Sequence, residues 1–190
     1  MKWGFSMNKK IEMKNPEKYT HDELIEIGRK WLINPYAQAA DYGHYGCSVV
    51  MTEISCSAWE EPDVLGFSSN RPGSILIECK ASKSDFRADK KKPFRECSEF
   101  GMGAQRWYLA PAGIIPIDEV PEKWGLLEVI ENKIKVTKKA EIQKRSYESE
   151  IKVLLSTLRR LNIQSDGHVA IKKYEILSSR NRATFFIESE

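Results

Sequence analysis

Apolar residues recur along this chain with two different periods, and the change of period outlines the fold. Leu24, Ile27, Gly28 and Trp31 fall at i, i+3, i+4 and i+7, the spacing of one helical face. Thr20 and Glu23 just before them match a capping box, in which two side chains satisfy free amides at a helix start. A first helix is therefore predicted from about Thr20 to Ile33, ending before Pro35. After a Gly- and Tyr-rich turn at Asp41–Gly46, strand-like runs follow at Cys47–Ile54, Asp63–Phe67 and Ser74–Lys80. The last two are joined by the turn signal Asn70-Arg71-Pro72-Gly73.

The second half repeats the same alternation of periods. A polar, partly helical stretch follows Lys80, and Gly101 and Gly103 break it. Arg106–Leu109 reads as a strand ending at Pro111. Leu126–Ile130 and Lys133–Thr137 read as a hairpin turned at Glu131-Asn132. A second clear helix is predicted near Ser146, with Ile151, Leu154, Leu155 and Leu158 as its buried stripe and Arg159 and Arg160 complementing its dipole. The segment His168–Ile187 reads as two short strands around Ser178–Asn181. The pattern thus predicts one α/β domain: a core over about 20–138, a loose polar arm over 1–18 in which Met7 is an alternative start, and an extension over 146–190.

Composition changes this picture little. The 190 residues are 41% hydrophobic and 30% charged, the mixture of a globular protein with a real core. No apolar run approaches the roughly 18–20 residues that span a bilayer, and the first residues lack an apolar signal region, so a cytoplasmic location is expected. Cys47, Cys56, Cys79 and Cys97 form no CxxC pair and have no zinc-finger histidines after them, which argues for free thiols.

Charge distribution is more informative than net charge. Lys80, Lys83, Arg87, Lys90, Lys91, Lys92 and Arg95 stand against only Asp85 and Asp89, so this window carries +5 in a chain whose total is +3. A local positive field of this kind attracts a polyanion, although a solvated surface segment would look the same.

Beside that window lies the candidate chemistry. In Ser74–Lys80 the strand period puts Leu76, Glu78 and Lys80 on one side, and Ile75, Ile77 and Cys79 on the other. Asp63 opens the preceding strand, where a hairpin brings it beside Glu78. Two close carboxylates repel unless a cation neutralises them, and Mg²⁺ often binds through one or two carboxylates, several waters and a substrate phosphate. Lys80 would orient or deprotonate a bound water, or offset developing negative charge. The chemistry implied is phosphodiester hydrolysis. The alternative on spacing alone is a structural ion pair between Lys80 and Asp63 or Glu78.

Pro62-Asp63 followed by Glu78-Cys79-Lys80 resembles the signature of the PD-(D/E)XK nuclease superfamily, which includes many restriction endonucleases. The run Glu78–Lys91 and the later Arg106-Trp107-Tyr108-Leu109-Ala110-Pro111 are similar to a group of small bacterial and phage members, some linked to DNA repair. The resemblance covers roughly residues 20–138. It implies a restriction-endonuclease-like αβββαβ core with a mixed sheet flanked by helices. It also implies Asp63, Glu78 and the Cys79 backbone carbonyl as ligands of Mg²⁺, for which Mn²⁺ substitutes, and Lys80 as the catalytic lysine. The expected substrate is nucleic acid, DNA foremost, and a homodimer is one arrangement such enzymes use.

Further candidates sit around this set. Glu53, at the end of the first strand, and Glu26, on the first helix, are possible additional acids, with exposure as the plainer reading of each; Glu23 is more economically the cap. Lys83, Arg87 and Lys90 are candidate phosphate contacts, because the chain leaves the acidic strand there. Gln105 or Arg106 would hold a phosphate, while Trp107 and Tyr108 read equally well as core. His44 reads as a surface or hydrogen-bonded histidine. The competing function is a catalytically inactive nuclease-fold protein that binds nucleic acid or a protein partner.

Overall fold

The structure is a computed structural model, and it describes residues 19–34, 46–58, 60–69, 72–92, 95 and 97–161. The arm at 1–18, the turn carrying His44, Asn70 and Arg71, and the strands expected in 168–187 lie outside the described residues. Among the described residues, three helices and six strands follow in the order α1 (His21–Ile33), β1 (Val49–Thr52), β2 (Val64–Phe67), β3 (Ser74–Cys79), α2 (Lys83–Asp89), β4 (Gln105–Pro111), β5 (Gly125–Ile130), β6 (Lys133–Lys138) and α3 (Tyr147–Arg160). This is the expected α/β order, with strand ends shifted by one to a few residues.

All six strands form one mixed sheet in sequence order. β1–β2, β2–β3 and β5–β6 pair antiparallel, whereas β3–β4 and β4–β5 pair parallel. A parallel neighbour needs a crossover, and α2 supplies the one between β3 and β4. β3 and β4 therefore lie at the centre, and every residue of both is buried. The expected turn at Glu131-Asn132 closes the β5–β6 hairpin, with both residues at positive φ as a two-residue hairpin loop requires. β6 is an edge strand and places Lys133, Lys135 and Lys138 there, which discourages pairing with another chain.

The pleat sorts the strand residues into two cores. Ile75, Ile77, Cys79, Trp107 and Leu109 face α1 through Leu24, Trp31 and Leu32. α1 starts with the capping box read from the sequence: Thr20 Oγ1 accepts from Glu23 N–H, and Glu23 accepts from Thr20 N–H. Gly28 lets this helix sit close, since a side chain there would press on Leu109 at 3.2 Å. Met51, Leu65, Leu76, Tyr108 and Leu126 face the other way, under Phe86 of α2 and Val153 of α3. Helices thus flank both faces.

One expected packing is overturned. The apolar stripe of α3 is not its buried face: Ile151, Leu155 and Leu158 are 54%, 51% and 41% exposed, and Leu154 is only partly covered. The helix instead buries Ser149, Glu150 and Val153. The reason is polar. Glu150 Oε1 accepts from Ser74 Oγ at 2.7 Å and from Gly103 N–H at 2.9 Å, and Arg145 lies 3.2 Å from its other oxygen. These bonds, worth more than neutral ones because Glu150 is charged, set the rotation of the helix. Among the described residues no helix is long and apolar enough to cross a membrane.

Candidate active site

The acidic residues meet where β2 begins and β3 ends. Val64 pairs with Ile77, so one step further the antiparallel register sets Asp63 opposite Glu78, on the same face. Asp63 Oδ2 locks this step by accepting the Cys79 N–H at 2.7 Å. Lys80 follows β3 directly, and its N–H donates to Leu109 O at 2.8 Å, which carries the parallel ladder one residue on. Its side chain therefore stays on the Glu78 side, as the strand period predicts. Lys80 Nζ lies 3.1 Å from Glu78 Oε2 and 4.0 Å from Asp63 Oδ2. The three motif residues are together, and the ion pair offered as their alternative role is formed.

Four further charged groups join them. Asp89, the last residue of α2, lies 3.4 Å from Lys80 Nζ. Arg95 bridges Asp89 at 2.7 Å, Glu60 at 2.6 Å and Glu78 at 3.1 Å. Lys92 reaches Asp89 at 3.0 Å and Glu78 at 3.9 Å. Tyr108 Oη donates to Asp89 Oδ2 at 2.8 Å. Glu60, Glu78, Lys80 and Asp89 are each under 5% exposed. Four carboxylates with Asp63 thus face three cations, an excess of negative charge in a place poor in water.

This imbalance is visible in the proton affinities. Burial, with repulsion from Glu78, pushes the Asp63 carboxyl up to about 6 against the pull of Lys80. Burial would lower Lys80, but Glu78, Asp89 and Asp63 outweigh it and hold the ammonium well above the ordinary lysine value. Burial likewise acts to raise Asp89, yet Arg95, backed by Lys80 and Lys92, keeps it far below the usual carboxylate range. Glu60 is raised, chiefly by burial. Lys80 in this arrangement is a firmly held cation.

The residues fit a divalent cation. Glu78 Oε1 is buried and has no hydrogen-bond partner, a costly state for a carboxylate oxygen. Lys80, Lys92 and Arg95 all crowd the other oxygen, Oε2. Among the described residues no group of three or more His, Cys, Asp and Glu side chains is gathered to hold a metal. The side chains available are the two carboxylates of Asp63 and Glu78, oxygen donors of the kind Mg²⁺ accepts when waters and phosphate supply the rest.

The outer candidates divide. Glu53 stands opposite Asp63, its N–H donating to Asp63 O at 3.1 Å, and it lines a shallow recess with Glu61, Pro62 and Asp63. Its φ of 49° turns the chain out of β1 there. Glu26 is not brought to the site: Arg29 grips it at 2.7 Å and Lys30 lies at 3.3 Å, and the Arg29 hydrogen bond holds its carboxyl down at about 2. The group that α1 does contribute is His21, whose Nε2 is 3.4 Å from Asp63 Oδ1. On α2, Phe86 and Asp89 point inward, while Lys83, Arg87 and Lys90 remain outside; Lys83 and Lys90 pair with Glu119 at 3.8 and 3.2 Å.

Gln105 and Arg106 are corrected. Both are buried, at 8% and 1% exposure, and neither is open to a phosphate. Gln105 Nε2 donates to Ala140 O. Arg106 donates to the carbonyls of Met102, Gly103, Ser98, Gly101 and Lys144, tying the loop before β4 to the segment before α3. The core reading of their neighbours holds: Trp107 meets Trp31 edge-on, and Tyr108 stacks on Trp124.

Sequence reasoning left out His21, Glu60, Asp89, Lys92, Arg95 and Tyr108 as site members. For Asp89 a signal existed, because it follows Phe86 by three residues on the inward face of a short helix. No family model matches the chain, and no curated protein matches it. Among solved structures the chain is similar to the SPO1766 protein of unknown function from Silicibacter pomeroyi, at 24% identity over 66% of this chain and 85% of that chain, with a TM-score of 0.45.

Proposed function

We propose that this chain is a metal-dependent nuclease that hydrolyses phosphodiester bonds, with DNA as its substrate. The observation that carries the reading is the convergence of Asp63, Glu78 and Lys80 at one strand end, with a buried Glu78 oxygen left without a partner. Asp63, Glu78 and the Cys79 carbonyl would hold Mg²⁺, or Mn²⁺ in its place. When bound, the ion supplies Lewis-acid polarisation of the phosphate and a more acidic water. Lys80, held protonated, offsets negative charge that develops on the phosphoryl oxygens. Lys83, Arg87 and Lys90 on the outer face of α2 offer the flanking phosphates a positive track.

Purified protein incubated with duplex and single-stranded DNA and Mg²⁺ or Mn²⁺ tests this. Cleavage is expected with metal and not with chelator. Lys80→Ala is expected to lower the rate about 10²–10³-fold, as removal of an electrostatic donor does elsewhere, and Asp63→Ala to abolish it. Cleavage at the unmodified rate in both variants would contradict the assignment. Salt-sensitive DNA binding with no cleavage under any divalent metal would establish the inactive binding protein instead.

A further inference from the structure

The cations around Glu78 are held to one side of it, and the other carboxylate that all three share is Asp89. Its Oδ2 accepts from Arg95 Nε at 2.7 Å and from Tyr108 Oη at 2.8 Å. Its Oδ1 accepts from Arg95 Nη2 at 3.1 Å and lies 3.4 Å from Lys80 Nζ and 3.0 Å from Lys92 Nζ. Every oxygen of this 2%-exposed carboxylate is used, and its ring partner is fixed, since Tyr108 lies between Phe86 and Trp124.

The consequence falls on Lys80. A lysine ammonium is a compact charge on a flexible four-carbon stem, so its position is set by the carboxylates around it. With Asp89 present, Nζ rests between Glu78 at 3.1 Å and Asp89 at 3.4 Å, and stands back from Asp63 at 4.0 Å. With Asp89 neutral, the remaining attraction draws it between Asp63 and Glu78, the place a divalent cation needs. Arg95 is aimed the same way: tethered to Asp89 and Glu60, it touches Glu78 only through Oε2 and leaves Oε1 without a partner.

We infer that Asp89 is a positioning residue that, by holding Lys80 while Glu60 keeps Arg95 in place, leaves the Asp63–Glu78 pair open for a divalent cation. This rests on the metal-dependent reading above. Mn²⁺ binding to the full chain, followed by electron paramagnetic resonance, tests it apart from turnover. Asp89→Asn is expected to weaken Mn²⁺ binding by about 10–100-fold, the range for partners that orient metal ligands. Adding Lys80→Ala to Asp89→Asn removes the competing ammonium and restores affinity to that of Lys80→Ala alone. A merely structural role gives no such restoration. Where circular dichroism shows Asp89→Asn unfolded, Asp89→Glu, which keeps a charge for Arg95 but shifts the oxygens relative to Lys80, carries the same measurement with and without Lys80→Ala.

Unchanged Mn²⁺ affinity in Asp89→Asn, or a double variant as weak as Asp89→Asn, overturns the inference while leaving nuclease activity standing. Mn²⁺ binding without DNA cleavage by the unmodified protein overturns the nuclease reading alone, and the affinity series still decides the role of Asp89. No Mn²⁺ binding by the unmodified protein overturns both.

Discussion

Two regions of this molecule invert the usual rule of burial, in opposite directions. At the end of β3, Glu60, Glu78, Lys80 and Asp89 are buried among one another. On α3, Tyr147, Ile151, Leu155 and Leu158 turn a row of apolar side chains to the outside. Burying charges is expensive and seldom improves on an apolar core of the same shape. Leaving single apolar residues outside is common and cheap. The first inversion therefore calls for a reason beyond folding, and the second does not by itself. A carboxylate, Glu150, anchors α3 against its own apolar stripe, whereas β3 is set by apolar packing on both faces and carries Glu78 at its end despite the cost.

Removing the central cation has the largest expected effect. Arg95→Gln leaves Glu60, Glu78 and Asp89 without their shared partner and is expected to cost about 3–5 kcal/mol of stability, measured by urea denaturation. A cost near zero would mean that the cluster is not bound together as its geometry indicates.

A smaller effect is expected from acid. The Asp89 carboxyl is held below its unfolded value, so its stabilisation is fully present above the ordinary carboxylate range, starts to fall at that range and is lost only as pH drops through the much lower folded value. The stability gap between unmodified protein and Asp89→Asn should therefore be flat above about pH 5 and narrow steadily as pH falls below about 4. Denaturation curves across this window check the sign, and a gap that widens with acid would contradict it.

The smallest effect belongs to the other region. Ile151→Ser and Leu155→Ser remove side chains more than half exposed and should change stability by no more than about 0.5 kcal/mol. Thermal unfolding measures this, and a larger loss would show that the stripe is covered after all.

The same contrast explains what could be read from the sequence. Local rules found the elements. The Thr20–Glu23 capping box, the alternation in Ser74–Lys80 and the Glu131-Asn132 turn each depend on neighbours in the chain, and each is present. Asp63, Glu78 and Lys80 were also legible, because a two-residue period and one hairpin suffice to bring them together. Glu60, Asp89, Arg95 and Tyr108 converge from four separate segments, and no local pattern encodes that meeting. By residue type Gln105 or Arg106 is a candidate to hold a phosphate. The place of Arg106 beside Leu76 rather than Glu78 puts it instead among carbonyls of the Ser98–Gly103 loop. The α3 stripe misled for the converse reason: its leucines are conspicuous, while the residue that docks the helix is a glutamate.

The proposed metal role of the end of β3 and the cost of its buried charges are tested together by one substitution. Asp63 resists ionisation because it is buried beside Glu78, with its carboxyl pushed up to about 6. A carboxylate raised in this way loses stability as pH climbs from its unfolded value to its folded one. Asp63→Asn keeps an oxygen for the Cys79 N–H but cannot ionise. At pH 8 and without metal, the account expects Asp63→Asn to be about 1–3 kcal/mol more stable than the unmodified protein, to lose that advantage near pH 4, and to have no measurable Mn²⁺ affinity. A variant that is less stable at pH 8 and binds Mn²⁺ as the unmodified protein does would contradict it.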